Sequence, residues 1–216
     1  MIVPFRTMSD VDAAVAPVRT HLDGEGLLAY PTETVYGLGS LATDASLDAL
    51  ARLKGRPAGK PFLLLVSNIE MLEAVGLALS PSARVLAREF WPGPLTLVLR
   101  GGEGRLPDRL RGSEGGIAVR WTSHVGVARM LQRLGHPLTS TSANRPGEPT
   151  APGADGIAQS FAGPVADGSL LILDGGVLGN VPPSTLVDCT GPVPRLIREG
   201  AIPRAELRRR AGSMAP

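Results

Sequence analysis

The sequence predicts an α/β fold: a single domain whose mixed, twisted sheet is flanked by helices. Apolar runs without alternation, such as Phe62-Leu63-Leu64-Leu65-Val66, mark strands buried on both faces. Strands and helices alternate through most of the 216 residues and give way to a strand-rich last third, which suits one sheet covered by helices. Aromatic residues make up only 4%, against 27 glycines and 20 prolines, so Val, Leu, Ala and Ile must build the core between tight turns.

Taken in order, a short N-terminal strand is followed by Ser9-Asp10, which cap a helix with Val11, Val15 and Val18 on one face that ends near Gly24. Leu27-Leu28-Ala29-Tyr30 reads as a buried strand. The turn-rich run 31–39 after it holds Gly37 and Gly39, which allow close backbone approach. Asp44 starts a helix that turns Leu47, Leu50 and Leu53 inward and stops at Gly55 and Pro57. Residues 62–66 form the central strand. Helices over 71–75 and 82–90 lead to the rigid corner Trp91-Pro92-Gly93-Pro94 and a strand over 95–99. Loop dominates 101–116, before a strand over 117–120, a helix over 125–134, a short strand over 138–140 and a loop over 146–153. A weak helix over 157–161 and strands over 170–173, 185–188 and 195–198 finish the sheet. The domain is expected to span 1–202, leaving 203–216 as a short basic helix or tail. Its Arg208-Arg209-Arg210 run suits a helix C-terminus.

Several function classes are disfavoured by composition. A net charge of +2 is too small for a protein that grips phosphates along its whole surface. The single cysteine, Cys189, excludes an internal disulfide and offers no metal-ligand spacing, and His21, His124 and His136 are scattered. No protein-held metal is therefore expected. No stretch approaches the roughly 20 apolar residues of a membrane span, and a cytoplasmic location is expected.

Both lysines, against twenty arginines, fall in Lys54-Gly55-Arg56-Pro57-Ala58-Gly59-Lys60. An ammonium is a compact charge on a flexible stem that can follow a phosphate oxygen, and Arg56 adds a planar fork. Further polar clusters stand at the ends of apolar elements: Thr32 with Thr34, Arg120, and Ser140 with Ser142 and Asn144. In an open sheet such ends converge on one crevice. Singly, each cluster reads as local turn bonding. Together, hydroxyls, an amide and cations with few carboxylates describe a pocket for a phosphorylated compound plus a carboxylate, and a nucleotide fits. The G-x-x-x-x-G-K-[ST] loop is missing, and a triad of Ser142, His124 and Asp188 lacks a G-x-S-x-G elbow.

Six ordered blocks, over about residues 10 to 202, carry a family resemblance. They are Tyr30-Pro31-Thr32-Glu33-Thr34-Val35-Tyr36-Gly37-Leu38-Gly39 with Lys54-Gly55-Arg56-Pro57, Trp91-Pro92-Gly93-Pro94-Leu95-Thr96, Ala118-Val119-Arg120, Thr141-Ser142-Ala143-Asn144 followed by Gly147, Ser184-Thr185-Leu186-Val187-Asp188, and Ile197-Arg198-Glu199-Gly200. In this order they resemble the YrdC-like family, the threonylcarbamoyl-AMP synthases. The resemblance implies a nucleotidyltransferase of YrdC-like fold that joins L-threonine, bicarbonate and ATP into threonylcarbamoyl-adenylate and releases pyrophosphate. The product would supply the group placed on an adenosine beside the anticodon of certain tRNAs, by a downstream tRNA threonylcarbamoyl transferase machinery. ATP enters as substrate, with Mg2+ held mainly by its triphosphate.

By motif position, Lys54, Arg56, Ser142 and Asn144, with Thr150 and Arg198, look like the ATP side, Lys54 and Arg56 being the catalytic pair. Thr34, Arg120, Ser140 and Ser184 look like the threonine side, with Arg120 the carboxylate partner. Lys60 joins the ATP side on its chemistry alone. Leu65 stands at a strand end that is histidine in some relatives, which implies a changed threonine contact. Thr122 stands where a proline often follows the Val-Arg pair, which implies a changed loop. The chain stops soon after Ile202, as expected of the short, single-domain form. Two other readings stay open: an RNA-binding module, with a tRNA contact by the arginine tail, and a carbamoyl transferase using carbamoyl phosphate. Larger proteins of the second kind normally carry zinc fingers, against which the lone cysteine argues.

Overall fold

Thr7, and not the Ser9-Asp10 pair, opens the first helix. In the computed structural model, which describes residues 1–55 and 60–212, strand β1 (Ile2–Pro4) leads into helix α1 (Met8–Asp23). The Thr7 hydroxyl accepts from the Asp10 N–H at 3.1 Å, and the Asp10 carboxylate accepts from the Thr7 N–H at 2.9 Å. This reciprocal capping box satisfies donors that every helix start leaves over. The buried stripe runs Val11, Ala14, Val18, Leu22, so Val15 sits at its edge.

Strand β2 (Leu27–Tyr30) is buried throughout, and β3 (Gly37–Gly39) pairs with it antiparallel inside the run that the sequence presents as a turn. Glycine hides this strand because glycine is a poor strand former. It is required there: a Cβ on Gly39 would lie 2.1 Å from the Thr139 carbonyl oxygen.

Helix α2 (Asp44–Lys54) starts at Thr43, whose hydroxyl accepts from the Ser46 N–H, and ends at Gly55 in the left-handed conformation (φ 57°). Its inward face carries Leu47, Leu50 and then Lys54, one turn on, while Leu53 is only half-buried. The helical period therefore turns the ammonium, not the last leucine, toward the interior.

The remaining elements are β4 (Leu63–Val66), α3 (Ile69–Ala74), α4 (Pro81–Phe90), β5 (Leu95–Leu99), β6 (Ile117–Trp121), α5 (Val125–Leu134), β7 (Leu138–Ser142), α6 (Ala154–Ser160), α7 (Ala162–Ala166), β8 (Leu170–Asp174), β9 (Thr185–Asp188), β10 (Arg195–Arg198) and α8 (Arg204–Ala211). At the corner before β5, the Trp91 indole N–H donates to the Leu95 carbonyl at 2.7 Å. The strands form one ten-stranded mixed sheet in the order β1-β8-β2-β3-β7-β4-β6-β5-β9-β10. Strand β7 is its pivot. Residues 138–140 pair with β4, while Thr141 and Ser142 pair with β3. The strand thus runs two residues beyond its predicted end and delivers Ser140 and Ser142 to the joint.

Helix α8 packs on α4 and buries Leu207 completely. Two of its arginines are engaged: Arg209 and Arg210 both bond Glu206 at 2.6 Å, and Arg210 also reaches Glu89 at 3.8 Å. Among the described residues no helix is long and apolar enough to cross a membrane.

Two outcomes follow from this packing. Leu207→Ala should lower the unfolding free energy by about 2 to 5 kcal/mol, measured by urea unfolding; an unchanged midpoint would mean that α8 is not part of the folding unit. Cys189 is buried at the end of β9, and burial, with the neighbouring Asp188 charge, pushes its thiol up to about 12. Its thiolate is therefore scarce at about pH 8, and iodoacetamide should label it only after unfolding.

Candidate functional site

A cavity of about 670 Å³ opens at the pivot of the sheet. Its wall includes Thr34 from the turn before β3, Arg120 from β6, Ser140 and Ser142 from β7, Ser184 at the start of β9, and Arg198 from β10. Six residues picked from sequence thus meet around one space. Lys60 lines it as well, whereas Arg56 lies outside the described residues.

Behind the wall of this space at Ser142, Lys54 ties α2 to the end of β7; neither Lys54 nor Asn144 is among the residues that line the cavity. Its Nζ donates to the Ser142 carbonyl at 2.7 Å, the Ser142 hydroxyl at 3.3 Å, Asn144 Oδ1 at 2.6 Å, and the Asn144 carbonyl. The Ser142 hydroxyl donates to Asn144 Oδ1 at 2.6 Å. Lys54 is only 7% exposed. Ion burial is costly unless oxygens replace the lost water, and these four supply that shell. Asn144 Nδ2 also donates to the Glu148 carbonyl at 2.5 Å, which fastens the loop that follows. Thr150 sits half-buried on that loop and is not among the residues that line the cavity.

Arg120, which lines the cavity, is 4% exposed. Its Nη1 donates to the Thr34 hydroxyl at 3.2 Å, and Thr34 is braced by the Thr32 hydroxyl at 3.1 Å. The Ser184 hydroxyl bonds that of Thr96 at 2.8 Å across the β5–β9 pair, while Arg198 Nη2 donates to the Ser184 carbonyl at 2.8 Å. Burial first, and then the charge of Arg120, pull the Arg198 guanidinium below its ordinary value. Two guanidinium groups that repel each other in a partly dry cavity welcome an anion between them.

Sequence reasoning gave Glu33 and Thr96 no role and read Thr122 only as a change in the adjoining loop. Glu33 faces Arg120 at 3.5 Å, and Thr122 holds Glu33 with a 2.6 Å hydrogen bond. Thr96 braces Ser184. Glu33 lay in plain view between two threonines that were singled out, but Thr96 and Thr122 reach their partners only across the sheet. Thr122 N also donates to the Val66 carbonyl, a bond that a proline lacks. Leu65 is fully buried beside Arg120 in the β4–β6 pairing and does not line the cavity.

Ser142, His124 and Asp188 make no triad. His124 Nδ1 accepts from the Val127 N–H to cap α5, and Asp188 is held by Thr190 and Arg195. Among the described residues no group of three His, Cys, Asp or Glu side chains could hold a metal ion.

The Sua5/YciO/YrdC family model, described as "Telomere recombination", matches residues 20–200. A threonylcarbamoyl-AMP synthase of Pyrococcus abyssi is 35% identical over 189 residues, which are 87% of this chain and 54% of the relative. One of Thiobacillus denitrificans is 38% identical over 191 residues, 88% of this chain and 98% of the relative. The crystal structure of P. abyssi Sua5 complexed with L-threonine matches with a TM-score of 0.86 and 32% identity, over 99% of this chain and 62% of that one. The chain thus spans just over half the length of the Pyrococcus relative. With its motifs in order, its sheet matched throughout and its family model covering most of its length, the chain belongs to the Sua5/YciO/YrdC family.

Proposed function

We propose that this cavity holds ATP and L-threonine side by side and joins them, with bicarbonate, into threonylcarbamoyl-adenylate and pyrophosphate. The observation that carries this reading is a cavity lined by both Arg120 and Ser142, with the Lys54 ammonium bonded to Ser142 and Asn144 just behind that wall. The names of the relatives, and the threonine-bound relative, support it.

Lys54, Arg56, Lys60, Ser142, Asn144 and Arg198 take the nucleotide, with Thr150 on the loop beyond Asn144. Arg120 takes the threonine carboxylate, and Thr34, Ser140 and Ser184 surround it with hydroxyls. The threonine amine and bicarbonate form a carbamate and water. A carbamate oxygen then attacks the α-phosphorus of ATP as pyrophosphate departs. The protein supplies placement and neutralises the charge that builds on the phosphates. Magnesium arrives with the triphosphate as part of the substrate.

The product is a reactive mixed anhydride, so a transferase that accepts it, and ultimately a tRNA adenosine, stands downstream. We place the reaction in the cytoplasm. The RNA-binding reading draws no support from α8, where Arg209 and Arg210 are paired within the fold, and nothing favours carbamoyl phosphate as donor.

Purified protein given labelled threonine, bicarbonate and magnesium-ATP should form a threonine-dependent adenylate and pyrophosphate. Lys54→Ala or Arg56→Ala should each slow this by roughly a hundredfold to a thousandfold, the loss of one preorganised contact worth about 2.7 to 4 kcal/mol. Wild-type rates in both variants would refute the assignment. Arg120→Gln should act mainly on threonine, raising its KM well above any change for ATP.

A further inference from the structure

We propose that Glu33, anchored by Thr122, is a positioning residue for the Arg120 guanidinium, and that the pair sets how well the cavity holds the carboxylate of its amino-acid substrate. The inference rests on the function proposed above. Its ground is a buried chain of contacts with one open link. The His124 N–H donates to Thr122 Oγ1 at 3.1 Å, and the Thr122 hydroxyl donates to Glu33 Oε2 at 2.6 Å. Glu33 Oε1 then faces Arg120 Nε at 3.5 Å, and both atoms are buried without a hydrogen-bond partner. Arg120 and Thr34 line the cavity, whereas Glu33 and Thr122 do not. The carboxylate therefore stands behind the guanidinium, outside the space a ligand would fill.

Buried charged atoms left unpaired so close together are uncommon, since each forfeits its water for nothing in return. A small turn of the guanidinium plane closes the link into an Nε–H hydrogen bond. With Nε committed to Glu33 and Nη1 already on Thr34, the plane of the fork is set, and a planar fork set in advance binds a carboxylate with less ordering cost. Thr122 is what makes Glu33 useful. A carboxylate with one oxygen pinned cannot swing away, and the Thr122 hydroxyl both accepts from the His124 N–H and donates to Glu33.

The test reads pyrophosphate release while threonine and ATP are varied in turn. Thr122→Val, close in shape but without the hydroxyl, should raise the threonine KM about tenfold, while the ATP KM moves by no more than about twofold. Thr122→Ser should restore the threonine KM. An unchanged threonine KM, an equal rise for both substrates, or failure of serine to rescue would overturn the inference. If Thr122→Val does not fold, Glu33→Gln is read the same way: it keeps the shape and the Thr122 contact but loses the charge facing Nε. Wild-type protein that releases no pyrophosphate would overturn the proposed reaction, and calorimetry with L-threonine would then decide the inference by itself. Weaker binding by Thr122→Val than by wild type and Thr122→Ser would support it; equal binding, or none by wild type, would overturn it.

Discussion

A buried ammonium dictates the shape of the chain around it. Lys54 lies 88 residues from Ser142 and 90 from Asn144, yet its Nζ is within hydrogen-bonding reach of both. The placement begins in local sequence: Leu47, Leu50 and Lys54 share a helix face, and Gly55 in the left-handed region ends the helix immediately after the lysine. It continues in the sheet, where β7 changes partner from β4 to β3 just before Ser142. A dry ammonium needs oxygens on several sides, so the backbone after β7 must turn two carbonyls and a side-chain amide toward it. Helix end, strand end and loop are three separate stretches of chain held to one geometry by the solvation of a single charge.

The cavity wall is organised by a second charge problem. Arg120 and Arg198 face the same space, and burial together with their mutual repulsion holds the Arg198 guanidinium below its usual value. The Thr34 hydroxyl orients Arg120 and the Ser184 carbonyl orients Arg198 without cancelling either charge. Glu33, whose carboxylate faces Arg120, does not line the cavity. Glu114 and Asp188 also line the cavity but both face Arg195, so the Arg120 and Arg198 charges stay available to an anion that enters.

Much of this was legible in the chain. The apolar runs at 27–30 and 63–66 and the largely apolar 95–99 are buried strands, and the helix that carries Lys54 ends at a glycine. Local rules handle such features because strand burial and helix caps are written in consecutive residues. Where the rules failed, the cause was a neighbour distant in sequence. Strand β3 reads as a turn because Gly37 and Gly39 answer to Ser140 and Thr139 across the sheet rather than to their own propensity. The first helix starts two residues early because Thr7 pairs with Asp10, a bond competing with an equally plausible Ser9 cap. Glu33 and Thr96 carry no signal of their own, and Thr122 signals only a changed loop, since each acquires its role from a partner on another strand or turn.

Three side chains that could have served as nucleophiles, Ser142, His124 and Cys189, are occupied or suppressed. The Ser142 hydroxyl receives Lys54 and gives its proton to Asn144, so no base is aimed at it. Burial pulls the His124 imidazole below its ordinary value despite the charge of Glu33, and its Nδ1 is spent on the first turn of α5. Burial likewise pushes the Cys189 thiol up to about 12. A site so poor in activated side chains among its described residues and so rich in fixed cations is suited to a reaction in which the substrates bring their own nucleophile and leaving group. In the proposed reaction the protein's contribution is geometric and electrostatic: it would place the carboxylate and the triphosphate and balance their charge.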